Sequence, residues 1–285
     1  MNMKRVRSVA AIVVLVLTVA VFTVYFIQHP RTFSALSSVP LPTIVLLFGL
    51  YALFIGTLVW IQRATLRLCN ITLGRKESAL VVMYSSVINF FGPLQSGPAF
   101  RAAYLKSRHN LNLKKYGLAT LLYYGFYALF SGLLLLSFIF GWWVAVVGVL
   151  AFVATPLIVL IPRFRGLDLG ASRQLGLATL AQAVVQSAIY YTELHSLMPH
   201  VTYVQSLIYT GAANFALFVS LTPGAIGFRE SFLLATQRLH DISNATIATA
   251  SVIDRSVYIV LLIVLALIIF GLHADTFLKA KKPAK

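Results

Sequence analysis

Residues 9–27, 42–61 and 257–272 form apolar windows, each suited to crossing a hydrocarbon core of about 30 Å. In lipid, every backbone N–H and C=O needs a partner within the protein, and a long helix supplies all of them internally. Composition agrees with this constraint: 59% of the 285 residues are apolar and 11% are charged, with a mean hydropathy of +0.87. A soluble domain carries about 25% charged residues. The fold class that follows is all-α, a polytopic helical membrane protein, read as one transmembrane domain over residues 1–285.

Basic residues set the expected topology. Lys4, Arg5 and Arg7 precede the first window and place the amino terminus in the cytoplasm. That window ends in Gln28-His29-Pro30 without a small-residue cleavage pattern, so it reads as a retained span and not a signal peptide. The second span, 42–61, returns to Arg63, Arg67, Arg75 and Lys76 on the inside. Further spans are expected at 116–138, 144–161, 175–198 and 245–272, giving about six. The tail at 279–285 carries Lys279, Lys281, Lys282 and Lys285, and is expected in the cytoplasm. The net charge of +16 is thus explained mainly by loop orientation, and no nucleic-acid partner is implied.

Two apolar segments remain, and both are broken. The first break runs from Asn89-Phe90 through Gly92, Pro93, Gly97 and Pro98 to Phe100-Arg101. Basic clusters flank its segment on both sides, so it is expected to enter and leave by one face as a re-entrant pair of half-helices. The second runs from Asn214-Phe215 through Pro223, Gly224 and Gly227 to Phe228-Arg229-Glu230. If it also turns back, with 228–239 as the return limb, the lysine tail falls inside. The halves 1–140 and 141–278 then share one plan in opposite orientations. Such inverted repeats, with binding sites at discontinuous helices, are a transporter architecture.

Charged residues at membrane depth cost roughly 2.5–3.5 kcal/mol each and need a partner or a purpose. The candidates are Arg101, Arg229, Glu230, Asp254 and Arg255, taken together as one network. A guanidinium grips phosphate through two parallel hydrogen bonds. Consecutive helical residues point about 100° apart, so Asp254 and Arg255 should pair elsewhere, with Glu230–Arg255 the favoured pair. Arg101 also reads as a juxtamembrane base, and the acid–base pairs as structural locks. Asn89 and Asn214 are substrate-site candidates that also suit capping or tying a broken helix. Gln182, Gln186, Tyr190 and Glu193 recur on one helix face, which should look inward as interhelical glue or cavity wall. Tyr123, Tyr124 and Tyr127 read as packing or interface residues.

No enzyme signature is present: there is no nucleotide-binding glycine loop, paired-acid motif or His-rich metal set. Cys69 is the single cysteine, which excludes an internal disulfide. No catalytic residue, cofactor or metal is expected.

Thr222-Pro223-Gly224-Ala225-Ile226-Gly227-Phe228-Arg229-Glu230 resembles the Pro-Gly-Gly-(Leu/Ile)-Gly-x-Arg-Glu signature of the lysylphosphatidylglycerol synthase transmembrane family, also described as flippase-like. Asn89, Pro93, Gly97 and Arg101-Ala102-Ala103-Tyr104-Leu105 are similar to that family's Asn…Pro…Gly-Glu…Arg-x-x-Leu region, and Arg255 suits its arginine in the last span. The chain departs at Gly97-Pro98-Ala99, where the family usually has Gly followed by Glu. The resemblance implies the membrane half without the aminoacyltransferase domain. It implies transfer between leaflets of a lipid or lipid-linked amphiphile, with anionic or aminoacylated phospholipid among the candidates. The implied setting is a prokaryotic inner or plasma membrane. A non-transporting scaffold for envelope or lipid biosynthesis and a small-solute permease remain the alternatives. A second copy or a membrane biosynthetic enzyme is a conceivable partner.

Overall fold

A computed structural model describes residues 39–91, 96–140, 168–218 and 228–280, together with Trp143, Val146 and Gly148. Apart from Val146 and Gly148, the expected spans 9–27 and 144–161, the break residues Gly92, Pro93, Pro223, Gly224 and Gly227, and the tail from 281 on lie outside the described residues. Among the described residues the regular structure is helical throughout.

The helices are α1 (Leu41–Leu68), α2 (Arg75–Phe91), α3 (Ser96–His109), α4 (Leu113–Leu135), α5 (Ser137–Phe140), α6 (Leu169–Leu197), α7 (Tyr203–Phe218), α8 (Phe228–Ala235), α9 (Gln237–His240) and α10 (Asn244–Ala280). Local chemistry sets several boundaries. Proline occupies the first turn of α1, where its missing N–H costs nothing. The helix ends in a Schellman motif: Asn70 takes a left-handed φ of 59°, Ile71 N–H donates to the Leu66 carbonyl, and Asn70 N–H donates to Arg67. Asn112 caps α4 by accepting from the Lys114 and Lys115 amides, and Asp168 caps α6 by accepting from Gly170.

Leu41–Leu68, Leu113–Ile139 and Asn244–Ile269 are long and apolar enough to cross a membrane. Outward-facing Leu41, Val45, Leu53, Leu121, Leu129 and Leu267 suit contact with lipid. At 29 residues α6 is also of spanning length, but its polar stripe makes it less apolar. Gln182, Gln186, Tyr190 and Glu193 are all buried, so the stripe does face inward.

An antiparallel pair, α1 with α6, forms the centre. Ile61, Ala64 and Leu68 near the end of α1 share a core with Ala171, Leu175 and Ala178 near the start of α6, and Arg67 hydrogen-bonds Gln174. At the other end, Leu47 and Tyr51 share a core with Ile189 and Leu197. Small residues along this seam let the two backbones approach closely.

Two helical hairpins flank the pair. In the first, α2 and α3 run antiparallel: Glu77 accepts from the Tyr104 hydroxyl at 2.9 Å and lies 2.8 Å from His109 Nε2. Near the tip, a Cβ on Gly97 would lie 2.6 Å from the Ser85 carbonyl oxygen, so glycine is required there. In the second, α7 packs on α8 and α9. The first hairpin opens beside the end of α1, where Leu68, Leu105, Leu111 and Tyr116 cluster. The second opens beside the end of α6, where Leu194, Val201, Ile242 and Ile247 cluster. Because α1 and α6 are antiparallel, the hairpins open toward opposite ends of the molecule.

The element spacing repeats. Helices α1 and α6 start at 41 and 169, and α2 and α7 at 75 and 203, both 128 residues apart. Phe100-Arg101 and Phe228-Arg229 share that separation. Packing follows suit: α4 lies against α7 and α6, while α10 lies against α2 and α1.

Candidate functional site

The second hairpin delivers Arg229 and Glu230 on the first turn of α8, and α10 delivers Asp254 and Arg255. The 100° step along each helix separates the neighbours, so two cross-pairs form. Arg229 Nη1 donates to Asp254 Oδ2, while Arg255 Nη2 donates to Glu230 Oε1 at 2.6 Å. Glu230 Oε1 also lies 3.9 Å from Arg229 Nε, which links the pairs. The expected Glu230–Arg255 pair is therefore present.

Aromatic side chains complete the enclosure. Tyr51 of α1 donates its hydroxyl to the other Asp254 carboxylate oxygen. Arg229 Nη1 lies 3.4 Å from the Tyr190 hydroxyl oxygen, and its guanidinium carbon sits 5.9 Å from the Tyr190 ring centroid. Tyr258 packs 5.3 Å from Tyr51 and 5.7 Å from Phe90 at the tip of the first hairpin. A continuous path of contacts therefore runs from that tip through α10 to the second hairpin. Arg229 is 8% exposed and Asp254 7%. At such depth, removing one partner costs about 3–5 kcal/mol because it strands the other charge.

A third carboxylate lies close by. Glu193 of α6 is 1% exposed, and neither of its oxygens has a hydrogen-bond partner among the described residues. Arg229 Nη2 and Nε are likewise buried without hydrogen bonds among the described residues. The network thus retains donor and acceptor capacity.

Arg101 does not join this network, contrary to the grouping expected from the sequence. It lies on α3, which packs toward the α1–α4 side, and its Nη1 donates to Gln62 Oε1 of α1 at 3.3 Å. Among the described residues it has no carboxylate within salt-bridge distance. The hairpins open to opposite ends, so their arginines meet different helices. A small cavity of ≈ 30 Å³ adjoins Arg101, lined in part by Gln62, Thr65, Pro98, Tyr116, Thr120 and Tyr123.

The remaining candidates separate in the same way. Asn89 is exposed, and its Oδ1 accepts the Gly97 amide at 3.2 Å, which ties the hairpin tip. Asn214 is fully buried, and neither amide atom has a partner among the described residues. Tyr123 does more than pack, since its hydroxyl donates to Gln182 Oε1 at 3.2 Å. Sequence reasoning missed Tyr51, Gln62 and Tyr258. Tyr51 and Tyr258 resemble any aromatic in an apolar span, whereas Gln62 was visible as a lone amide closing one. His240 was also missed: it is buried, its Nδ1 accepts the Ile242 amide and its Nε2 donates to the Leu233 carbonyl, a pattern that needs the neutral ring.

The family model described as "Lysylphosphatidylglycerol synthase TM region" matches residues 8–266. No curated protein matches the chain.

Proposed function

We propose, from the premise that the chain belongs to the lysylphosphatidylglycerol synthase TM region family, that it transfers a lipid or lipid-linked amphiphile between leaflets. Membership makes it a membrane protein tied to lipid metabolism. Translocation is the finer reading. The observation that carries it is the network of the buried Arg229–Asp254 pair and the part-buried Arg255–Glu230 pair, where the second hairpin meets a helix of spanning length. Intramembrane charge of this kind marks substrate and ion pathways. Among the described residues the Glu193 carboxylate and the Arg229 Nε and Nη2 groups have no hydrogen-bond partner, which leaves the network able to take a ligand.

On this reading the hairpins are re-entrant elements from opposite faces, and the halves are inverted copies. The 128-residue spacing and the reciprocal packing of α4 and α10 support that symmetry. Alternating exposure of the space between the halves would move the headgroup. In reconstituted vesicles, Arg229→Ala and Arg255→Ala abolish leaflet transfer while the protein stays folded; unchanged transfer refutes the site. Both termini are assigned to the cytoplasm of a cell membrane. On a Cys69→Ala background, labelling of Lys282→Cys only from outside overturns that assignment.

A second reading, a scaffold that recruits a membrane biosynthetic enzyme, draws on the same pairs: both arginines already face a carboxylate. It differs in predicting that Glu230→Gln is tolerated. Loss of transfer in that variant favours translocation.

A further inference from the structure

We infer that the cavity beside Arg101 is an oxyanion subsite, built to take a phosphate or phosphate-ester group. Four observations converge on it. First, Arg101 carries a full charge with no carboxylate among the described residues to balance it, unlike Arg229 and Arg255. Second, its Nε is buried and makes no hydrogen bond among the described residues. Third, Gln62 is 3% exposed; its Oε1 accepts from Arg101, while its Nε2 is buried and has no hydrogen-bond partner among the described residues. Fourth, the Thr65, Thr120 and Tyr116 side chains line the same cavity.

Orphaned buried donors are costly, and an acceptor that meets both is the economical remedy. The set here is rich in donors and bears positive charge, so the complementary group is an acceptor-only anion. A guanidinium edge with an adjacent amide suits the tetrahedral oxygens of phosphate. The cavity of ≈ 30 Å³ exceeds the roughly 10–15 Å³ needed for one water. It is too small for a whole lipid headgroup, so the rest of a phosphodiester would extend beyond it.

The source of the phosphate is a lipid or a free anion. The assignment of this subsite to a transported headgroup rests on the translocation reading; the subsite itself does not.

The test uses the full chain, purified in detergent and titrated with inorganic phosphate and with glycerol phosphate at constant ionic strength. In parallel, native mass spectrometry counts phosphatidylglycerol retained by the protein. Phosphate, glycerol phosphate or phosphatidylglycerol binds the unsubstituted protein. Arg101→Gln weakens that binding by about tenfold to a hundredfold, and Gln62→Leu, which keeps the charge, by a smaller factor. Arg101→Lys serves if Arg101→Gln fails to fold, with binding reduced because the paired donors are lost. Binding of the free anions identifies a phosphate subsite of general kind; Arg101-dependent retention of phosphatidylglycerol alone identifies a lipid headgroup contact. Equal binding by unsubstituted and Arg101 variants, or no binding by the unsubstituted protein, overturns the inference and leaves a water-filled pocket. Arg101-dependent binding without leaflet transfer sinks the translocation reading and spares the subsite.

Discussion

Arg101 and Arg229 each follow a phenylalanine, each stands near the start of a hairpin's second limb, and 128 residues separate them. Their surroundings nevertheless differ. Arg229 meets Asp254, Glu230 and Tyr190, whereas Arg101 meets Gln62 and a cavity. Counted back by the same 128, Tyr190 falls on Gln62 and Asp254-Arg255 falls on Phe126-Tyr127. The two hairpins therefore share a spacing but not a charge plan. One half closes its arginine with the Asp254 carboxylate from α10. The other puts aromatic residues at the corresponding positions of α4 and leaves its guanidinium uncompensated. Equivalent placement fixes where an arginine arrives; the facing helix decides whether it serves as a lock or as a receptor.

The largest expected effect tests that division. Asp254→Asn strands Arg229 in a buried site and should lower stability by about 3–5 kcal/mol, seen as early thermal unfolding of the purified protein. Arg101→Gln breaks no ion pair and should cost about 1 kcal/mol or less. Equal losses would erase the distinction between lock and receptor.

The next effect compares how the hairpins are held. A Cβ on Gly97 would press on Ser85 within the first hairpin, whereas one on Gly211 would lie 2.4 Å from the Leu135 amide nitrogen of α4. Each alanine substitution should destabilise by about 1–3 kcal/mol. Hydrogen exchange should locate the opening differently: between α2 and α3 for Gly97→Ala, and between α7 and α4 for Gly211→Ala.

A smaller effect would make the first half resemble the second. Gln62→Glu supplies Arg101 with its own carboxylate. Phosphate binding should be lost, as titration of the purified protein would report. Retained binding would mean that the uncompensated charge is not what the cavity uses.

The smallest concerns the mouth of the first hairpin. Hydrogen bonding to His109 holds the Glu77 carboxyl below its ordinary range, with burial opposing and the Tyr104 hydroxyl assisting. A lowered folded-state pKa contributes stability above the ordinary carboxylate value of about 4.3 and loses it as pH falls through the lowered value. Between about pH 5 and pH 3 the thermal midpoint should fall further in the unsubstituted protein than in Glu77→Gln. Parallel falls would remove Glu77 from the hairpin's support.

Much of the helical plan was legible because apolar length and basic clusters act over whole segments. The return limb expected at 228–239 corresponds to α8 and α9, and the polar stripe of α6 faces inward as its period implies. Of the expected spans, three described helices are long and apolar enough to cross a membrane, and α6 is less apolar because of its polar stripe. The site was legible in part. The Glu230–Arg255 pair followed from helical geometry across two short motifs. Tyr51 was invisible because an aromatic in a span looks alike whether it packs or donates a hydrogen bond.

The sequence by itself determined that this is a helical membrane chain of the lysylphosphatidylglycerol synthase TM region family, with breaks placed before Arg101 and Arg229. Those features rest on local composition and on short contiguous motifs. Tertiary structure alone decided that the two arginines part company. Pairing across 25 residues for Arg229 and 39 for Arg101 depends on which helix face each hairpin meets, and no local pattern encodes that facing. Grouping Arg101 with the other four charges followed from shared motif chemistry. The antiparallel α1–α6 pair separates it, because it turns the two hairpins toward opposite ends.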